Sequence, residues 1–326
     1  MGKNKIIIIG GFGRSGTGAI HQLLRKHDNI YALPNYEFRL LTDPDGLINL
    51  KNLVTNNWNI FQSDFAIRRF IRLVNNLGNY WSGPYLFSSH SKEMKTAYYN
   101  ALSEFLYDLQ VNKYKGLWAG RSNFLNKIIM RFTNHNKNFI NKHIYYCPNL
   151  TEKDFYSFSN KFIKNMHNDV LVENGKNIIL LNEPNATQNI LEVSKLTDSR
   201  HFIIIYRDPR DAFASFITKD WSPHSIDDAA NFLKLVYERW FSQRELIKDE
   251  FIIEVKLEDL VNDFSNTIEK IEKFLKLKIS RKLVSISNYD PGKTHIGRWK
   301  SDFNEFEKEK INKSFHEILI KTGYRS

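Results

Sequence analysis

The sequence predicts an α/β protein in which a parallel β-sheet is flanked by helices. Short runs of β-branched and aliphatic residues, typical of strands buried on both faces, alternate with longer segments of helical spacing. A glycine-rich loop joins the first such strand to the first helix. Because helix-length segments separate the strands, we expect right-handed crossover connections between parallel strands.

Four strands are predicted, and each is followed by a segment of helical character. The first strand covers residues 6–9, followed by a glycine-rich loop over residues 10–18 and a helix over residues 19–25, which ends in basic residues that suit a helix C-terminus. The other predicted strands cover residues 178–181, 202–206 and 251–255. The first of these is followed by a helix over roughly residues 186–196, the second by a helix that begins at about residue 211, and the third by a helix over residues 268–275.

Residues from about 45 to 170 are rich in aromatic residues and asparagine. Their spacing is mostly helical, for example over residues 65–77 and 97–109. We find no repeat and no low-complexity linker. We therefore interpret this stretch as a helical insertion over the sheet, on the acceptor side of a single domain that spans residues 1–326.

The composition is that of an ordinary globular protein with a basic excess. The formal net charge is +11 over 326 residues, which favours acidic ligands such as phosphorylated cofactors. The basic residues are scattered and no RNA-recognition signature is present, so no nucleic-acid partner is predicted. Cys147 is the only cysteine, so no intrachain disulfide can form. The first apolar stretch is too short for a signal peptide or a membrane span, and we expect a cytoplasmic protein.

The glycine-rich loop has the setting of an anion-binding site, because it follows a strand and opens a helix. In the register of a Walker A loop, Thr17 takes the place of the lysine and Gly18 that of the Ser/Thr, which disfavours ATP- or GTP-driven phosphoryl transfer. Arg14, Ser15 and Thr17 remain as polar groups. The alternative is a tight turn that only packs the helix onto the sheet. A Rossmann loop fits less well, since Arg14 and Ser15 stand where small residues are needed.

A second candidate anion site follows the predicted strand at residues 202–206. The chain continues as Arg207-Asp208-Pro209-Arg210-Asp211 and reaches Ser215 within the following helix. An arginine can bind a phosphate bidentately through charge-assisted hydrogen bonds. The alternative is a surface turn in which the arginines and aspartates only pair with one another.

The two segments together resemble the sulfotransferases that use 3′-phosphoadenosine-5′-phosphosulfate (PAPS), most closely the tyrosylprotein and bacterial carbohydrate branches. The resemblance implies that the loop around Gly13 and Gly18 cradles the 5′-phosphosulfate, with Arg14, Ser15, Gly16 and Thr17 matching the family's Arg-Ser-Gly-Thr segment. It also implies that Arg207 and Ser215 bind the 3′-phosphate. Gly18 departs from the family, which often has threonine there.

Two further stretches are similar to this family. Residues 255–261 resemble its strand followed by Glu-Asp-Leu, and residues 296–300 resemble the loop that closes over the donor, with Arg298 at the basic position. The resemblance covers residues 5–40 and 175–325. It implies a P-loop-NTPase-like α/β sheet with helices on both faces, in agreement with the strands predicted from the residues.

The resemblance also implies the catalytic groups. Glu37, shortly after the first helix, matches the glutamate that takes the acceptor proton, and Arg14 is expected to stabilise charge on the transferring group. The alternative for Glu37 is a solvated ion pair with Arg39. His21, His90 and His143 lie in no recognisable motif. Related enzymes often carry a lysine after the second strand, and residues 181–185 of this sequence lack it. Arg14 or the C-terminal basic loop would have to supply its positive charge instead.

We therefore predict a sulfotransferase that moves a sulfuryl group from PAPS to a hydroxyl of a carbohydrate or small metabolite. The product would be 3′,5′-adenosine bisphosphate, and no metal would be required. An atypical P-loop kinase and an inactive PAPS- or glycan-binding scaffold are the alternatives. The acceptor and the oligomeric state are left open.

Overall fold

The computed structural model describes residues 5–33, 37–79, 90–109, 112–116, 124–132, 143–148, 150–279 and 295–325. A parallel sheet of five strands lies at the centre of the fold, and a separate pair of antiparallel strands lies apart from it. In chain order the strands are β1 (Lys5–Gly11), β2 (Ile30–Ala32), β3 (Asn112–Gly116), β4 (His143–Cys147), β5 (Ile178–Asn182), β6 (Phe202–Tyr206) and β7 (Ile252–Lys256).

The order across the sheet is β2-β5-β1-β6-β7, and every pair in it is parallel. All residues of β5 and β6 are buried, as are six of the seven residues of β1, which explains why these strands lack a polar alternation. The four predicted strands and the α/β class are thereby confirmed, with ends that shift by one or two residues. The short edge strand β2 was not predicted.

Helices cover both faces of the sheet. The isoleucines of β1 alternate between them: Ile7 and Ile9 face one core, and Ile6 and Ile8 face the other. The α-helices of the described chain are α1 (Thr17–Leu24), α2 (Leu47–Val54), α3 (Ile60–Gly78), α4 (His90–Met94), α5 (Ala97–Asp108), α6 (Phe124–Phe132), α7 (Glu152–Glu173), α8 (Ile190–Thr197), α9 (Pro209–Phe216), α10 (Ile226–Arg244), α11 (Leu257–Asn262), α12 (Phe264–Leu275), α13 (Trp299–Asp302) and α14 (Glu305–Thr322).

The core behind Ile7 and Ile9 is small and is closed by α1, α11 and α12. The core behind Ile6 and Ile8 is larger and includes residues of α3, α5, α7, α8, α10 and α14. The predicted arrangement of a parallel sheet flanked by helices on both faces is therefore present. Among the described residues, no helix is both long and apolar enough to cross a bilayer.

The stretch from α2 to α7 is helical, and the predicted helices at residues 65–77 and 97–109 correspond to α3 and α5. Phe105 of α5 stacks on Phe162 of α7 with ring centroids 4.7 Å apart. The antiparallel pair β3–β4 also belongs to this stretch and was not predicted; it is braced by stacking of Tyr114 on Tyr145 at 5.1 Å. The assignment of this stretch as an acceptor-side insertion stays a prediction.

The helix predicted over residues 186–196 is interrupted. A 3-10 helix covers Pro184–Gln188, and α8 starts only at Ile190, after Asn189 leaves helical backbone angles. The hydroxyl of Thr187 donates a 2.8 Å hydrogen bond to the carbonyl of Gly11. This tertiary bond holds the 3-10 turn against the end of β1.

Candidate active site

The loop between β1 and α1 lies at the carboxyl end of β1, and its residues 13–18 line a cleft. Gly13, Arg14 and Gly16 all have positive φ angles, of 30°, 64° and 99°. The N–H of Phe12 donates to Ser15 Oγ at 3.0 Å and closes the loop on itself. Within the described residues, the N–H groups of residues 13–16 donate no hydrogen bond. N–H groups without a protein acceptor at a helix N-terminus are able to bind an anion.

Two glycines of this loop are required by close packing. A Cβ on Gly11 would lie 2.3 Å from Ser15 Oγ, and one on Gly16 would lie 2.9 Å from a methyl carbon of Leu257. A Cβ on Gly13 would meet no atom within 4 Å. The loop is therefore packed tightly on its inner side and open on the side that faces the cleft.

Aromatic contacts of Phe12 anchor the loop between β1 and α1. Phe12 is fully buried and stacks on Tyr237 of α10 with ring centroids 4.4 Å apart and an interplanar angle of 9°. It also contacts Tyr206 at 4.9 Å and the edge of Trp240 at 5.9 Å. These contacts attach the glycine-rich loop of residues 10–18, the candidate anion loop, to β6 and α10.

The second candidate anion element meets this loop directly. Arg207 is only 6% exposed, and its guanidinium donates to the carbonyls of His295 at 2.8 Å and Arg14 at 3.4 Å. Burial lowers the pKa of Arg207, while the charges of Asp211 and Glu258 oppose that shift. In turn, Arg14 Nε donates to Ser215 Oγ at 2.9 Å.

Arg207 and Arg210, the two arginines of the segment Arg207–Asp211, have separate roles. Arg210 forms an ion pair with Asp208 at 2.7 Å and lies over the ring of Trp299 at 4.2 Å, so it stabilises the start of α9. Arg207 lines the cleft instead. The interpretation of the motif as a turn of mutually paired arginines and aspartates therefore fits Arg210 and does not fit Arg207.

Asp211 fixes the C-terminal segment at the mouth of the cleft. Its buried carboxylate accepts hydrogen bonds from the N–H groups of Gly297 at 2.6 Å and Trp299 at 3.0 Å. Burial raises the pKa of Asp211, and these two hydrogen bonds oppose the shift. Arg298, held between them, lines the cleft and pairs with Asp302 at 2.6 Å.

Glu37 lies in the same cleft as Arg14. The neighbouring N–H of Phe38 donates to the carbonyl of Asn182 at 2.7 Å, which holds this segment beside the end of β5. Arg39 forms an ion pair with Asp43 at 2.5 Å, and Glu37 forms none within the described part of the chain. Partial burial raises the pKa of Glu37, and the positive charges of Arg39 and Arg14 limit the shift.

The element that lacks the family lysine carries a buried acid. Glu183 is 2% exposed and accepts a hydrogen bond from the hydroxyl of Thr42. Burial raises its pKa to about 8, with smaller contributions from the carboxylates of Asp43 and Glu37. This element therefore supplies no positive charge to the cleft.

The histidines in the sequence do not join the site where the structure describes them. His21 and His90 are buried, and burial lowers their pKa values to about 4 and about 3. Neither lines the cleft. The side chain of His143 lies outside the described residues.

All ten predicted site residues line one cleft of about 990 Å³. They are Gly13, Arg14, Ser15, Gly16, Thr17, Gly18, Glu37, Arg207, Ser215 and Arg298. Further residues that line the cleft belong to none of the motifs recognised in the sequence. These further residues include Asn185, Gln188, Lys219, Trp221, Phe232 and His295.

Comparison with known families shows that a model of the sulfotransferase family matches residues 6–281. Among solved structures, a sulfotransferase of Mycobacterium avium is 14% identical, with 99% of this chain and 78% of that one covered and a TM-score of 0.44. The sulfotransferase domain of the Synechococcus olefin synthase is 14% identical, with 96% of both chains covered and a TM-score of 0.47. The sulfotransferase domain of the curacin biosynthetic pathway is 11% identical, with 99% of both chains covered and a TM-score of 0.49. Comparison with curated proteins gives no match.

Proposed function

The chain belongs to the sulfotransferase family, and from this we propose that it transfers a sulfuryl group from PAPS to a hydroxyl of a carbohydrate or small metabolite. One observation carries the proposal: two anion elements, from the loop after β1 and from the start of α9, meet in a single cleft. The contacts between Arg14, Ser215 and Arg207 join them. PAPS carries two separate anionic groups, so it needs two such elements.

The residues fit this donor. The open side of the loop at Gly13 and the N–H groups of residues 13–16 would hold the 5′-phosphosulfate. Arg207 and Ser215 would hold the 3′-phosphate, and Arg298 would approach it from the C-terminal segment. The cleft of about 990 Å³ is at the upper end of the range for small-molecule sites, so it has room for an acceptor as well.

The reaction requires two further contributions from the protein. Glu37 would accept the proton of the acceptor hydroxyl while its oxygen forms a bond to sulfur and the bond from sulfur to the phosphate oxygen breaks. Arg14 would stabilise the negative charge that develops on the sulfuryl group and on the departing phosphate. The electron pair of the broken bond leaves with 3′,5′-adenosine bisphosphate.

A catalytically inactive donor- or glycan-binding scaffold is the second candidate. Glu183, whose pKa burial raises, lies in the element in which related enzymes often carry a lysine, so one transition-state cation is missing there. A kinase is disfavoured because Thr17 and Gly18 replace the Walker lysine and hydroxyl residue.

Two measurements test the proposed function. Calorimetry should detect binding of 3′,5′-adenosine bisphosphate without magnesium, and sulfate from labelled PAPS should reach at least one hydroxyl acceptor in a panel of sugars and small alcohols. Binding without any transfer would favour the scaffold. Absence of binding, or transfer of the γ-phosphate of ATP instead, would refute the proposal.

A further inference from the structure

We propose that the cleft contains a separate subsite for an aromatic acceptor that carries an anionic group, formed by Trp221, Phe232 and Lys219. The inference rests on the proposed function and adds the chemical class of the acceptor. These three residues line the cleft but lie outside the donor-binding set.

The sheet order gives the cleft two sides, one after β5 and one after β6 and β7. Asn185 and Gln188 follow β5, whereas Leu257 follows β7, and β1 with its anion loop lies between them. Three steps of about 4.8 Å between strands separate the two sides by roughly 14 Å. Arg207 and His295 are hydrogen-bonded to each other on the β6–β7 side, where the 3′-phosphate would bind. The β5 side, next to Glu37, is left for the acceptor.

Helix α10 forms the wall of the cleft on the β5 side. Arg239 of α10 donates to the carbonyl of Gln188 at 2.8 Å and to Asn189 Oδ1 at 3.2 Å, so the helix is fastened to the 3-10 turn after β5. Phe232 and Val236 lie one turn apart on α10, and both line the cleft. The apolar wall is therefore held against the side that carries Glu37.

Two exposed aromatic rings form a corner in this wall. Phe216 is buried and packs against both: it stacks on Phe232 at 5.2 Å with an interplanar angle of 18°, and it meets Trp221 edge-on at 5.3 Å and 74°. Trp221 and Phe232 are thus steeply inclined to each other, yet 65% and 47% exposed. Such a corner offers an aromatic guest one stacked and one edge-to-face contact, whereas a sugar ring needs only a single platform.

The charge of the subsite indicates an anionic group on the guest. Lys219 is half-buried, lines the same cleft as the two rings, and forms no ion pair with any described residue. Glu37 is the one carboxylate among the described residues that line the cleft, while Arg14, Arg207 and Arg298 would be engaged by the donor. Lys219 therefore remains available, and an acceptor carboxylate would pair with it.

Steady-state kinetics with a matched acceptor series tests this inference. The series consists of 4-hydroxyphenylacetate, its neutral methyl ester and glucuronate, which is anionic but has no aromatic ring. We expect kcat/KM for 4-hydroxyphenylacetate to exceed that of each of the other two by about tenfold or more, because each lacks one of the two contacts. A higher value for the ester or for glucuronate would overturn the inference.

Variants identify the residues responsible. Lys219→Met should lower kcat/KM for the acid by about tenfold and leave that for the ester unchanged, while Trp221→Ala should raise KM for both. Lys234→Met removes a lysine of α10 that does not line the cleft, and it is the matched control. An unchanged ratio of acid to ester in Lys219→Met would overturn the role of this lysine.

A binding measurement separates this inference from the proposed function. Calorimetry of 3′,5′-adenosine bisphosphate reports on the donor site alone, and Lys219→Met and Trp221→Ala should bind it as the wild type does. With that nucleotide in place, 4-hydroxyphenylacetate should bind at millimolar concentration. Nucleotide binding without binding of the acid refutes the acceptor class alone, whereas loss of nucleotide binding in the wild type refutes the proposed function.

Discussion

At the scale of single residues, Arg14 has a strained backbone and a side chain that is held by a hydrogen bond. Its backbone is left-handed, with φ of 64°, a conformation that costs a non-glycine residue roughly 1–2 kcal/mol. Its side chain is exposed, yet Nε is directed to Ser215. Strain of this kind is tolerated where the surrounding structure enforces it, and here the buried Ser15 and Phe12 do so.

We expect Arg14→Ala and Arg207→Ala each to weaken binding of 3′,5′-adenosine bisphosphate by about 2 kcal/mol, or about 30-fold, because each removes charge-assisted hydrogen bonds. Calorimetry measures the effect. Arg200→Ala is the matched control, since Arg200 packs over Phe251 and does not line the cleft. Wild-type affinity in both cleft variants would refute the two-element donor site.

Glu37→Gln should lower kcat by about 100-fold or more while changing nucleotide affinity less than twofold, because the amide cannot accept the acceptor proton. Because the pKa of Glu37 is raised, the wild-type rate should fall as the pH drops through that raised value, where the base becomes protonated. Rates measured across pH with wild type and variant check this. A variant that keeps full activity would remove Glu37 from the mechanism.

Glu183 gives the fold a pH-dependent stability. Its pKa is about 8 in the folded protein against 4.5 for an ordinary glutamate, so the folded state retains a proton that the unfolded state loses. This contribution to stability is complete below pH 4.5 and is lost as the pH rises to about 8. Urea unfolding at several pH values should show a weaker decline over this window in Glu183→Gln. An identical decline in both proteins would contradict a neutral Glu183.

At the scale of elements, the anion loop depends on its neighbours. The hydroxyl of Thr187 in the 3-10 helix after β5 donates a hydrogen bond to Gly11 of β1, and Tyr237 of α10 stacks on Phe12. Neither contact is local in sequence. The loop is therefore held in place by the 3-10 helix after β5 and by α10 as well as by its own glycines.

Thr187→Val should destabilise the protein by about 1–3 kcal/mol, because it leaves the buried carbonyl of Gly11 without this hydrogen bond while keeping the volume of the side chain. Chemical denaturation measures the loss. Thr218→Val is a control that removes a local hydroxyl bond to Ser215 O in a partly exposed turn, and it should cost less. An equal cost for both would argue against a special role for the Thr187 contact.

The elements that the sequence predicts correctly are those with local signals. β1, β5 and β6 are continuous buried runs of apolar residues, which mark strands of a parallel sheet without further context. The three-residue β2 and the pair β3–β4 depend on tertiary partners, and the break before α8 depends on the contact between Thr187 and Gly11. Motifs indicated every predicted donor-site residue, whereas Lys219 and Trp221 belong to no motif. Trp221 is held at the cleft by a tertiary contact with Phe216, which the sequence does not reveal.

At the scale of the whole molecule, the cleft is assembled from distant parts of the chain. The loop after β1, the start of α9 and the segment before α13 are joined by hydrogen bonds of Arg207 and Asp211. A ligand that engages all of these parts stabilises the folded chain as a whole.

Thermal unfolding should therefore shift upward in 3′,5′-adenosine bisphosphate, by a stability equivalent of about 2.7 kcal/mol at a concentration of 100 times Kd. The shift should need no magnesium. Asp211→Asn, which weakens the attachment of Gly297 and Trp299, should reduce the shift at equal ligand concentration. A magnesium-dependent shift, or an equal shift in the variant, would contradict this coupling.

The hydrogen bond between Arg14 and Ser215 also bears on competition among nucleotides in a cell. ATP and 5′-AMP are abundant adenine nucleotides without a 3′-phosphate. Such a nucleotide would reach the loop after β1 but place no phosphate at the Ser215 hydroxyl, which accepts a hydrogen bond from Arg14 Nε. A nucleotide with both anionic groups engages both partners of that bond. If the proposed function holds, we therefore expect selectivity for a doubly anionic nucleotide to come from this link between the loop after β1 and α9.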